Sequence, residues 1–469
     1  MTTDPFAAPA SYAATRPRRP RVAWPAPPAW LPFAAAGAGL VAAVAIPDRP
    51  PGLGTVLAIV AIAAALLPVV RASLRPADLV LGAPLVGLLA MFLLRDAEWL
   101  LMLDLLVIAA LGTILLAGAA TWTAFVTAGV TMWARLLPAL PYVLRPLLGR
   151  ARAAQRTGPV LRGSFLALGL VLLFGALFAS ADAAFASLAG RLVPSFDLLP
   201  AQVLVGVFTA ALVGAGLLTH LRPLPAPALP EPLDRPRAEW AVPVLALDGL
   251  FAAFVGVQLA VLFGGNDHVL ATSGLTYAQY ARQGFFQLVA VAVLTLAVVA
   301  VVAGRVRLAT PRERSLARLS LGALCLLTLV VLASAWRRLA LYEAVYGLTR
   351  LRLFVHATIV GIALVLLLVL LAGARWRGAW LPRACAGVAA ATLLALNVAN
   401  PDALIARRAV ERSRVGFEVD RYYLAGLSAD AVPALRSLDV TRDECERLGR
   451  GESWLGWNLA RSRARAACR

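Results

Sequence analysis

The chain has 469 residues, 61% of them hydrophobic and only 15% charged, with a mean hydropathy of +0.79. That composition leaves too little polar surface to cover a water-soluble fold, so it excludes one and makes a bilayer the solvent. The formal net charge of +19 rests on arginine alone, because the chain contains no lysine, which also excludes a lysine-dependent phosphate loop and a Schiff base.

In chain order, residues 1–28 mix Pro and Ala with Arg16, Arg18, Arg19 and Arg21. They read as a disordered cytoplasmic tail, without the small-residue cleavage pattern of a signal peptide. Apolar runs long enough to cross a bilayer then follow. They lie near Trp30 to Ile46, Leu53 to Val70, Leu79 to Leu94, Trp99 to Ala119, Val160 to Ser180 and Ala201 to Leu221. A further set runs from Ala241 to Phe263, Phe285 to Ala303, Leu319 to Ala335, Leu353 to Ala372 and Trp380 to Val398. The expectation is an all-α polytopic bundle of about eleven spans, since only helices and closed barrels satisfy their backbone groups in lipid.

The stretch 121–144 is apolar, but Arg135 stands inside it and Pro138 and Pro141 break it. If it does not span, the basic tail and the loops carrying Arg71, Arg75, Arg145, Arg150, Arg152 and Arg156 share one side with Arg305 to Arg318 and with Arg375, Arg377 and Arg383. The positive-inside rule therefore favours an interfacial or re-entrant segment, an inside N-terminus and an outside C-terminus. Those same loops fit anionic lipid better than nucleic acid. Residues 222–239 are dense in proline and divide residues 29–221, with about six spans, from residues 240–398, with about five. Residues 399–469 read as a small extracytoplasmic helical tail; its Cys445 and Cys468 could pair there or remain free thiols.

The polar residues that break the apolar pattern are the candidate site. Trp336 to Arg352 carries Tyr342, Glu343, Tyr346, Arg350 and Arg352 between two spans. On one helix, Tyr342, Tyr346 and Arg350 would line a face before Gly347 loosens the turn. An aromatic and arginine belt at the headgroups is the simpler alternative. By parity this stretch faces outward, against the charge rule, which points to another task for its arginines. Asp182, the segment with Tyr277, Tyr280 and Arg282, and Asn400 with Asp402 fall on the same side, so a shared polar chamber is expected there. Asp104 is the best-placed carboxylate within a span, and such a group is a functional candidate by default. The scattered His220, His268 and His356 offer no ligand spacing, so neither metal nor cofactor is expected.

The motifs GLTYAQYARQGFF, YEAVYGLTRLR, NPDALIARRAVER and LSADAVPAL resemble those of an uncharacterised family of bacterial multi-pass membrane proteins, domain of unknown function 4173, and its close relative 4153. The resemblance runs from about Ser180 to the C-terminus and implies a bacterial inner-membrane protein without an established activity. The family pattern favours glutamate where this chain has Gln279 and Gln287, so acid or base chemistry at those positions is not open to it. Three function classes remain: transport or ligand handling through Asp104 and the outer polar residues, an extracytoplasmic sensor or envelope-assembly protein, and a membrane-embedded enzyme on a lipid-linked or envelope substrate. No known catalytic spacing supports the last.

Overall fold

The computed structural model describes residues 24–153, 199–222, 236–263, 285–306, 309–375, 378–438, 441–449 and 453–469, with scattered positions between 163 and 178. Among these, the regular structure is helical, as the apolar runs require. Helices α1 (Leu31–Ala45), α2 (Leu53–Val70), α3 (Leu79–Leu94), α4 (Glu98–Ala117), α5 (Trp122–Ala134), α6 (Leu136–Ala153) and α7 (Leu199–Leu221) come first. Then follow α8 (Arg237–Phe263), α9 (Phe285–Arg305), α10 (Pro311–Tyr346), α11 (Arg350–Arg375) and α12 (Leu381–Ala399). The helix starts follow local chemistry. Thr310 and Glu313 form a capping box ahead of α10, and prolines occupy the first turns of α1, α10 and α12, where no amide is missed.

Among the described residues, nine helices are long and apolar enough to cross a membrane, and all nine fall on expected runs. The expected number was about eleven. Of the other two runs, the first is α1, only 15 residues long, and 160–180 lies largely outside the described residues. The stretch 121–144 forms α5 and the first half of α6, two helices bent by 62° at a break, a geometry open to a broken span or a re-entrant loop. At that bend the buried Arg135 donates to the carbonyls of Leu218 and Arg222 at the C-terminal end of α7, where the helix dipole favours a cation. At its other end α5 starts just after α4, whose Leu116 carbonyl meets His220 of α7 at 2.9 Å.

Only 22–44% of each span's apolar window is buried within the protein; the remainder is the lipid-facing side that a span needs. With no hydrophobic drive between helices in lipid, small residues set their approach. A Cβ on Gly39 of α1 would stand 2.6 Å from the Gly206 carbonyl oxygen of α7, so these backbones meet at a distance only glycine allows. Three apolar cores result: one among α1, α2, α6 and α7, one among α3, α4 and α12, and one among α8 to α11. The last span, α12, thus packs on α3 and α4 and carries the C-terminal segment to their ends.

That segment folds as a cap. It comprises α13 (Pro401–Arg414), α14 (Arg421–Ala425), α15 (Val432–Leu435), α16 (Arg442–Gly449) and α17 (Leu459–Cys468). Ile405, Ala406, Leu424, Leu427 and Leu435 form its core, and Cys445 is disulfide-bonded to Cys468, tying α16 to α17. Of the two states left open for these thiols, the paired one is found. The cap touches the α1–α2 connection through the Leu53 amide and the Trp457 carbonyl, 3.1 Å apart. Arg71, Arg75, Arg222, Arg312 and Arg375 lie at the other ends of their helices.

Candidate functional site

The site grows from the junction where α12 ends. Asn400 takes the left-handed conformation (φ 53°) that stops α12, and its side-chain oxygen caps α13 at the Ala403 amide. Asparagine tolerates this backbone better than most residues, and Pro401 in the first turn continues into the next helix at no hydrogen-bond cost. The Asn-Pro-Asp sequence therefore opens a helix just past the last span, as expected, and places Asp402 fully buried beneath the cap.

Asp402 is met from the bundle by Arg350, the first residue of α11, in a two-pronged contact of 2.8 Å from Nε to Oδ1 and 2.5 Å from Nη2 to Oδ2. The Ser428 amide adds a third bond at 2.9 Å. Burial alone would push this carboxyl up, but the guanidinium and the amide outweigh it and hold the carboxyl below the usual value. The Arg350 backbone amide in turn donates to the Tyr423 hydroxyl at 2.9 Å.

A second carboxylate pair lies beside it. The Asp96 amide, in the α3–α4 turn, donates to Asp430 Oδ2 at 2.7 Å, and the Ala429 amide donates back to Asp96 Oδ2 at 3.4 Å. Asn400 Nδ2 reaches the other Asp430 oxygen at 3.0 Å, while Arg461 of α17 binds Asp96. Both carboxyls are raised above the usual value, in each case chiefly by burial and against the pull of a neighbouring arginine. Around this pair, helix ends are closed by side chains. Arg95 donates to the carbonyls of Asn397 and Val398 at the end of α12, at 2.8 and 3.1 Å. Asn458 donates to those of Phe92 and Arg95 at the end of α3, at 2.9 and 2.6 Å. The Asn397 carbonyl also accepts from the Asn400 amide at 3.1 Å; the Arg95 contacts tie the end of α12 to the α3–α4 turn, and those of Asn458 tie the cap to the end of α3.

Tyr342, Glu343, Tyr346 and Arg352 gather in an adjoining cluster. The rings of Tyr342 and Tyr346 lie 4.7 Å apart and the Arg352 guanidinium covers Tyr342 at 4.4 Å. Glu343 stands 3.1 Å from His356. The expected single face of Tyr342, Tyr346 and Arg350 is not formed: α10 stops at Tyr346 and the chain turns at Gly347 (φ 77°), so Arg350 opens a new helix and points its guanidinium at Asp402. Arg412 of α13 joins the two clusters, donating to the Ala344 and Val345 carbonyls at 2.8 Å each. Asp182, Tyr277, Tyr280 and Arg282 lie outside the described residues.

Asp104 is fully buried in α4, where Asn397 Nδ2 donates to its Oδ1 at 2.8 Å. Its Oδ2 and Asn397 Oδ1 have no hydrogen-bond partner among the described residues. Among the described residues, no three His, Cys, Asp or Glu side chains converge as a metal would require.

Between cap and bundle opens a cleft of about 530 Å³. Asp96, Glu98 and Trp99 line it from the bundle, and Ser428, Glu444 and Arg447 from the cap. The Trp99 indole N–H is buried without an acceptor. Sequence reading alone had not picked out Arg95, Asp96, Asn397, Asp430, Asn458 or Arg461. The legible signal was the charged Arg95–Asp96 pair between two spans and the lone acid in LSADAVPAL.

The family described as Domain of unknown function (DUF4153) matches residues 81–438. This is the second of the two families that the motifs resemble, and the match begins within α3, well before Ser180, and stops short of the C-terminus. None of the curated proteins and none of the solved structures matches the chain.

Proposed function

The chain belongs to the DUF4153 family, and from that premise we propose an integral membrane protein that handles a polar ligand at its extracytoplasmic face, in the cleft between cap and bundle. The observation that carries this reading is the cleft itself. Its volume of about 530 Å³ falls in the range of small-ligand sites, and an indole N–H without an acceptor and the exposed Glu98 line it beside guanidinium groups. The Asp402 and Asp430 clusters are saturated with internal bonds, which assigns them to holding the cap in register. Tyr342, Tyr346 and Arg352 flank that junction, and Asp182, Tyr277, Tyr280 and Arg282 remain proposed contributors to the same rim.

The orientation is part of the proposal: N-terminus cytoplasmic, C-terminus extracytoplasmic, about eleven spans, residues 121–144 re-entrant or interfacial, and residues 222–239 a cytoplasmic linker. The Cys445–Cys468 disulfide supports an oxidising compartment for the cap, and the arginines at the opposite helix ends support a cytoplasmic location there. Cysteines introduced at Ser453 and at Ser73 test it: an impermeant maleimide on intact cells should label the first and not the second. The reverse pattern would overturn the orientation.

The ligand is tested on the purified protein by thermal shift against amino acids, sugars, phosphate esters and short peptides. A ligand at a hundred times its Kd should stabilise by about 2.7 kcal/mol, and the shift should vanish in Glu98→Gln/Trp99→Phe, which removes the acid and the indole N–H. No stabilising compound, or an equal shift in the variant, would sink the reading. Passage of the ligand through the bundle is the finer form, supported by the buried Asp104–Asn397 pair. Asp104→Asn should then stop uptake while leaving ligand binding at the cleft intact.

A further inference from the structure

A second cavity, of about 460 Å³, lies on the other flank of the cap junction. Its walls are α13, α15 with Ala429 and Asp430 before it, α17, the end of α3 and Asn400 just past α12. Alanine 403, Arg407, Val410 and Arg414 fall on one stripe of α13 at helical spacing, so both arginines face the same hollow, about 10 Å apart along the axis. Arg463 approaches from α17 and Arg95 from the α3–α4 turn.

The charges do not balance. Of the two acids in the wall, Glu411 is engaged by Arg408 at 3.2 Å. Asp430 already accepts from the Asp96 amide and from Asn400. Arg95 is committed to the α12 carbonyls. Arg407, Arg414 and Arg463 have no acidic partner among the described residues and are exposed. Three cations thus converge on one concavity whose two acids are bonded to other groups, an arrangement that favours an anion.

Position narrows the anion. Leu94, the last residue of α3, lines the cavity, as does Asn400, the residue that ends α12, and Val398, whose carbonyl accepts from Arg95 at 3.1 Å, is 61% exposed. The hollow therefore straddles the level where the spans end: arginines face the aqueous side and apolar surface faces the acyl side. We propose that this cavity binds a phosphate-bearing anion, presented as the headgroup of an anionic phospholipid in the leaflet on the cap side. The guanidinium fork suits a phosphate better than a point charge would. This is a separate cavity from the proposed ligand cleft, so it stands whether or not that reading holds.

The test uses the full-length protein in a neutral maltoside, titrated separately with dihexanoyl-phosphatidylglycerol, dihexanoyl-phosphatidylcholine and inorganic phosphate. Phosphatidylglycerol should bind at least about tenfold more tightly than phosphatidylcholine, and Arg407→Gln/Arg414→Gln/Arg463→Gln should lose at least about tenfold of that affinity. Arg414→Gln alone should fall partway, and Arg421→Gln/Arg436→Gln, on the cap but outside the cavity, should bind like wild type. If inorganic phosphate binds as tightly as phosphatidylglycerol and is lost in the triple variant, the phosphate chemistry is upheld and its source is soluble. Equal affinity for wild type and triple variant, or an equal loss in the control, would overturn the proposal.

Discussion

Replacing Asp402 by Ala removes the anchor of the cap. The carboxylate is fully buried and accepts two charge-assisted bonds from Arg350 and one from the Ser428 amide. Breaking a buried pair from one side costs about 3–5 kcal/mol, because the remaining charge is stranded. The Arg350 side chain keeps 30% of its exposure and can recover some water, which places the loss at the lower end, about 3 kcal/mol. A protein with several packed cores need not unfold in one step, so a global melt is the wrong readout. Amide exchange across residues 401–438 measures the cap directly, and about 3 kcal/mol should speed it by about two orders of magnitude. The span α8, remote from the cap, should not change. Arg350→Met/Asp402→Leu, which removes both charges, should recover most of the protection. Cap exchange within threefold of wild type in Asp402→Ala would refute the assignment of this pair as the anchor.

Other outcomes follow from the same geometry. The lowered Asp402 carboxyl contributes stability above the usual carboxylate value, lost as pH falls through its depressed pKa; the raised Asp96 and Asp430 contribute stability below the usual value, lost as pH rises through their elevated pKa values. Protection factors at the cap should therefore fall as pH rises past the usual carboxylate range, and Asp430→Asn should shrink that fall; a fall of equal size in the variant would contradict it. Gly39→Ala should force α1 from α7, where its Cβ meets a carbonyl oxygen at 2.6 Å, and cost about 1–3 kcal/mol in a detergent melt, whereas Gly37→Ala, with open space around it, should be neutral. With Cys325 and Cys385 free and the other pair bonded, the denatured protein should take up two maleimides before reduction and four after it. Cys445→Ser/Cys468→Ser should destabilise the α16–α17 part of the cap by about 3 kcal/mol.

How far the sequence reached can be judged residue by residue. Runs such as Leu53 to Val70 announce themselves, because a bilayer admits so few backbone solutions that apolar length alone specifies a spanning helix. The Asn400, Pro401, Asp402 turn was legible for a similar reason: each residue type fits one slot of a helix start. The face shared by Tyr342, Tyr346 and Arg350 failed at Gly347, where a positive φ redirects the chain and helical spacing stops predicting neighbours. Asp96 and Asp430 are more than 300 positions apart in sequence, and no local rule pairs them.

Sequence by itself therefore determined the solvent and the element type, both consequences of transfer free energy and backbone stereochemistry acting within about one span, whereas the break expected at Pro138 and Pro141 falls at Arg135. The tertiary structure decided which polar residues bond one another and which stay exposed. Arg350 to Asp402, Asp96 to Arg461, Asn458 to the end of α3 and the unpaired trio Arg407, Arg414 and Arg463 depend on α12 packing against α3 and α4 and carrying the cap with it. Buried charges and free helix-end carbonyls require partners, but which partner each one meets is fixed by how the helices pack.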